Sequence, residues 1–187
     1  FFPFAAAVGA EFTAAGDAWL GDLFRRDPAL MSGPSYWSIS PAVTTRPSIS
    51  GSVIPIGFDH DSQYLGGARQ ALARCILAVP DVVARIPDVS AFQYVTALFL
   101  LRARNLRIVS GWHPAFFDRL LDQVAVNHDR LVYDIEHGTL SVSPLAPEVA
   151  KTVASWLHPN RKRADELRKG GAHPRQLWPQ LSLISCW

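Results

Sequence analysis

The residues best placed for chemistry are Ser110, Trp112, His113 and Phe116, where the run Leu106-Arg107-Ile108-Val109-Ser110 gives way through Gly111 to a helix opened by Pro114. Proline suits a first helical turn because its missing N–H is one that the turn leaves unpaired. In open α/β sheets the carboxyl end of a strand faces the ligand crevice. At such a place Trp112 and Phe116 either form an apolar wall for a hydrophobic acid or ring, or pack as an ordinary strand-to-helix junction. His113 either lines that pocket, with no residue pattern that supports general acid/base work by it, or only caps the helix. Asp59-His60-Asp61 sets a histidine between two carboxylates, a set that can ligate a metal. Adjacent residues of an extended loop point in different directions, however, and no second histidine is near, so a solvated turn is the better reading. His128, His137, His158 and His173 fall near predicted helix ends or turns and form no ligand pair. No catalytic residue and no metal ligand is assigned. The sequence contains no G-x-S-x-G elbow, Walker-type loop or G-x-G-x-x-G turn, so no known motif presents a nucleophilic serine or cradles phosphate.

The elements that must position these residues alternate between helix and strand. Val8, Phe12, Ala15, Trp19, Leu20, Leu23 and Phe24 lie close to helical spacing between about Ala5 and Arg26, and Asp27-Pro28 supplies a stop. Tyr36 to Ser40 is short, aromatic and β-branched in part, and reads as a strand. Residues 41 to 61 are rich in Ser, Thr, Pro and Gly, with a possible short strand at Val53 to Ile56; a loop of that length is functional or mobile. Helical composition returns at Tyr64 to Val79 and Asp81 to Ile86, punctuated by Pro80 and Pro87. Ser90 to Arg104 is apolar almost all round, the mark of an interior helix, with Ser90 as its expected N-cap. Further helices are predicted from Pro114, at Asp129 to Glu136, Pro147 to Leu157 and Arg161 to Lys169, and Leu181 to Cys186 reads as a buried strand. This interleaving predicts an α/β domain.

Composition bounds the function classes. The chain has 187 residues, 49% of them apolar, which suffices for one core. Its longest apolar runs are far shorter than the ~20 residues of a membrane span, and the cytoplasm is the default compartment. Cys75 and Cys186 stand apart, with no CxxC, and read as buried thiols with neither a disulfide nor a zinc site. A net charge of +2 does not call for nucleic acid. Arg161-Lys162-Arg163 with Arg168, Lys169 and Arg175 is interrupted by Asp165 and Glu166 and has no interleaved aromatics, so it reads as a solvated helix. The chain starts at an aromatic cluster and stops beside an apolar strand, whereas domain ends usually lie in polar, exposed segments. The expectation is a single partial domain over 1–187, truncated at both ends.

Several stretches carry a family resemblance: Asp88-Val89-Ser90-Ala91-Phe92-Gln93-Tyr94-Val95-Thr96 through Leu106-Arg107, and Leu177-Trp178-Pro179-Gln180-Leu181 to Trp187. With them go Tyr36-Trp37-Ser38-Ile39-Ser40-Pro41, Ile54-Pro55-Ile56-Gly57-Phe58 with Tyr64-Leu65-Gly66, and Trp112-His113-Pro114-Ala115-Phe116. In order and over nearly the whole chain, they resemble bacterial members of the Gretchen Hagen three, or auxin-responsive promoter, family. The resemblance implies an incomplete piece of the large N-terminal domain of an adenylate-forming enzyme, with a mixed sheet flanked by helices. It implies a parent that is an acyl-acid amido synthetase. ATP with Mg²⁺ activates a carboxylic acid as an acyl-adenylate, and an amino acid displaces AMP to form the amide. ATP-binding motifs would lie outside this chain, and the piece alone would be inactive. The partners implied are a small carboxylic acid and an amino acid, with no nucleic acid and no membrane.

By the same resemblance the acyl-acid pocket would include Phe12, Gly16 and Trp19, which share a helix face at i, i+4 and i+7, with Trp112 and Phe116. For Phe12 and Trp19 a core-facing stripe is the commoner fate of aromatics at this spacing, and Gly16 could serve close ligand approach or close packing. Arg25 and Arg26 come only at that helix's end, so no arginine on the face clamps a carboxylate. A stand-alone α/β binding module walled by Trp19, Trp112 and Phe116 is the alternative, and a protein-interaction domain a third reading.

Overall fold

The computed structural model describes residues 6–37, 76–111, 113–143, 145–171 and 173–186; within the first helix the side chains of residues 6–10, 12 and 13 are outside the description. The elements are α1 (Ala6–Arg26), a 3-10 turn (Pro28–Ser32), β1 (Ser35–Trp37), a second 3-10 turn (Asp81–Arg85), α2 (Val89–Arg102) and β2 (Ile108–Gly111). They continue with α3 (Pro114–Val126), α4 (His128–His137), α5 (Pro147–Trp156), α6 (Arg161–Lys169), α7 (Pro174–Leu177) and β3 (Leu183–Cys186). The α/β class expected from the sequence is the class observed.

The three described strands lie in the order β1-β2-β3 and run parallel, where the resemblance implies a mixed sheet for the whole domain. Trp37 pairs in register with Ser110, and Ser110 with Ser185, so the carboxyl ends of all three strands line up. Parallel neighbours need long crossovers; α2 lies in the first, and α3 to α7 make the second. The central strand buries Ile108, Val109 and Ser110. Leu183 to Cys186 alternates half-buried and exposed, so the strand expected to be buried is at the sheet's described edge. The Cys186 thiol, expected inside, is exposed for the same reason.

The core gathers around α2, whose run from Phe92 to Leu101 meets α3, α4 and the second 3-10 turn. Its cap is Asp88 in place of the expected Ser90: the carboxylate accepts from the Ala91 N–H at 2.7 Å, so the helix opens one residue early. The helix expected through Val79 stops short. Leu77 bridges to Ser35 in parallel fashion, and the Ala78 N–H donates to the Ser35 carbonyl. The rest of that helix, the 41–61 loop, the Val53 to Ile56 strand, Asp59-His60-Asp61 and Cys75 lie outside the described residues. α4 ends on Gly138, at φ +67, the left-handed conformation that glycine adopts without steric cost.

Candidate ligand site at the carboxyl end of the sheet

A shallow apolar depression opens where the three parallel strands end. Tyr36 of β1, Val109 to Gly111 of β2 and Ile184 to Cys186 of β3 form its floor, and His113, Phe116 and Phe117 of the α3 entry form its side. It is open to solvent. Phe116 is 56% exposed, so its ring is not spent on the core, while Ser110 is 2% exposed at the base.

α1 reaches the same end of the sheet. Trp19 meets Trp37 edge to face, ring centroids 6.1 Å apart at 77°, an arrangement aromatic quadrupoles favour. Trp37 in turn lies beside Ser110 in the sheet register. Trp19 is half-buried, and no described side chain of α1 is fully buried, so the helix does not present a closed core stripe. A Cβ at Gly16 would meet no described atom within 4 Å. The Phe12 backbone is helical, but its side chain, like all of Trp112, lies outside the described residues.

His113 is the N-cap of α3: its Nδ1 accepts from the Ala115 N–H at 3.1 Å. The capping role considered from sequence is therefore real, and the same residue lines the depression. Trp37, Tyr36, Ile184 and Ser185 were not singled out from sequence. The missing signal was strand alignment: once β1, β2 and β3 are parallel and in register, every strand's last residues converge on one rim.

The family model of the GH3 family N-terminal domain matches residues 45–187. The chain belongs to the GH3 family. Among solved structures, the GH3 chain superposes on a GH3.15 acyl acid amido synthetase with a TM-score of 0.65 and 14% identity, covering 95% of this chain and 31% of that one. It also superposes on AtGH3.15 acyl acid amido synthetase in complex with 2,4-DB, with a TM-score of 0.72 and 14% identity, covering 97% of this chain and 32% of that one. At that identity the likeness carries the fold, and the chain spans about a third of those proteins' length. No curated protein sequence matches it.

Away from the rim, this GH3 chain ties its helices with buried polar groups. Asp134 of α4 is fully buried and accepts from the Tyr94 hydroxyl (2.8 Å), the Thr139 hydroxyl (2.7 Å) and both the N–H and hydroxyl of Ser141 (2.8 and 2.6 Å). Burial pushes its carboxyl up, and the bonds from Ser141, Thr139 and Tyr94 outweigh that, holding it below the ordinary aspartate range. Burial, then the Asp134 bond, pushes the Tyr94 phenol upward, so it stays a donor. The α6 helix expected to be fully solvated buries Arg163, which is 4% exposed. Its guanidinium donates to the carbonyls of Leu101 (2.6 Å) and Leu177 and pairs with Glu166 at 3.3 Å. The Trp178 Nε1–H donates to the Leu100 carbonyl at 2.7 Å, so Trp178 and Arg163 bond two of the last four carbonyls of α2.

Proposed function

We propose that the protein containing this chain is an ATP-dependent acid–amino acid ligase, and that this chain supplies one wall of its acyl-substrate pocket. The observation that carries the reading is the depression itself: an apolar rim at the aligned carboxyl ends of a parallel sheet, in a GH3-family domain. The solved relatives are acyl acid amido synthetases, one of them in complex with 2,4-DB, which supports the same assignment. Phe116 lines the depression, and we assign Phe12, Gly16, Trp19 and Trp112 to the same substrate pocket on the family resemblance alone. A hydrophobic acid would bind by its apolar body here, since no lysine or arginine is among the described residues that line the depression.

The described residues contain no cluster of three or more His, Cys, Asp or Glu side chains that could hold a metal. No step of the chemistry is routed through them. Among the described residues no helix is long and apolar enough to cross a membrane.

The test is pyrophosphate release from ATP by the full-length reading frame that contains this chain, across a panel of aromatic acids. Acid-dependent release, followed by amide formation on addition of amino acids, is expected. A folded protein that binds these acids without releasing pyrophosphate would be a binding module instead.

A further inference from the structure

We propose that the Nε2–H of His113 holds an oxygen of the ligand that enters the depression, and that the α3 cap is what fixes this donor in place. The inference rests on the reading of the depression as an acyl-substrate wall. Because Nδ1 accepts from the Ala115 N–H, it carries a lone pair, and in a neutral imidazole the proton then resides on Nε2. The two ring nitrogens point along diverging edges, so a ring whose Nδ1 faces the helix start turns Nε2 away from it. Nε2 has no hydrogen-bond partner among the described residues, and His113 is exposed at the rim.

The other polar groups of the lining offer less. Ser110 and Tyr36 are both buried with interactions of their own. The Ser185 hydroxyl turns freely about its bond, and the Cys186 thiol is a weak donor. A carboxylate or acyl oxygen that leaves water for an apolar depression costs free energy unless a donor meets it. Among the described lining residues, His113 is the one whose side-chain donor direction is set by a hydrogen bond of the fold, so little ordering entropy is lost when it binds.

Asparagine and serine are both good N-caps, so His113→Asn and His113→Ser remove Nε2 while keeping α3. The full-length protein that contains this chain, labelled with ¹⁵N-histidine, is titrated with phenylacetate and with its uncharged analogue 2-phenylethanol. We expect long-range ¹H–¹⁵N spectra to show the Nε2–H tautomer at His113 and its ring signals to move with phenylacetate. Phenylacetate should bind about tenfold more tightly than 2-phenylethanol. In either variant the two ligands should bind alike, with thermal unfolding unchanged. An Nδ1–H tautomer, equal binding of both ligands by the parent sequence, or a preference for the acid that survives in both variants would overturn the role of His113 and leave the pocket standing. If neither ligand binds, the acyl-wall reading falls and takes this inference with it.

Discussion

The helical layer around Asp134 and Arg163 and the rim around Phe116 and His113 spend their polar groups in opposite ways. In the first, a buried carboxylate takes four hydrogen bonds and a buried guanidinium reaches two backbone carbonyls and a glutamate. In the second, aromatic rings stand open and a ring nitrogen is left without a partner among the described residues. Groups satisfied inside the fold rigidify it and have nothing left for a ligand; groups that the fold leaves open at a concave rim are those a ligand can use. The difference predicts that substitutions in the first region change stability and those in the second change binding.

Asp134→Ala should have the largest effect. It strands the Tyr94 hydroxyl, the Thr139 hydroxyl and two donors of Ser141, and should cost about 3 kcal/mol or more, read as a lowered midpoint in urea unfolding. The same carboxylate sets an acid dependence. Its folded pKa lies below the unfolded value of about 3.9, so its contribution is complete above that value and is lost as the pH falls through the folded pKa. Stability of the unsubstituted chain should therefore drop below about pH 4 more steeply than that of Asp134→Asn. A parallel decline in both would remove Asp134 as the cause.

Arg163→Met comes next, at about 2 kcal/mol, because it keeps the buried stem but leaves the Leu101 and Leu177 carbonyls without their charged donor. An unchanged unfolding midpoint would mean that the tie between α2, α6 and α7 is made by packing alone. Neither tie is apparent in the sequence. Arg163 stands in the run Arg-Lys-Arg-Ala-Asp-Glu, whose charge pattern is that of a solvated face, and its carbonyl partner Leu101 is 62 residues away. Local patterns cannot report such a partner. What local patterns do carry they carried well: the apolar run of α2, the proline that opens α3, and the strand-to-helix junction that became the rim. The cap of α2 moved from Ser90 to Asp88 because both residues are good caps and only the backbone decides between them. Cys186 was expected inside because an apolar strand looks buried until its place at the sheet edge is known.

Gly16→Ala should act in the other direction. With open space around the position and a helical backbone, alanine should stabilise the chain by about 0.5–1 kcal/mol, measured by thermal unfolding. If acid binding weakens at the same time, the glycine serves ligand approach; if stability falls, the space beside α1 is filled in solution.

Phe116→Ala separates the two regions most cleanly. The ring is 56% exposed, so stability should move by no more than about 0.5 kcal/mol, while the wall it forms is lost. In the full-length protein, KM for an aromatic acid should rise about tenfold with KM for ATP unchanged. An acid KM that stays where it was, or an ATP KM that rises by the same factor, would contradict the assignment of this rim to the acyl substrate.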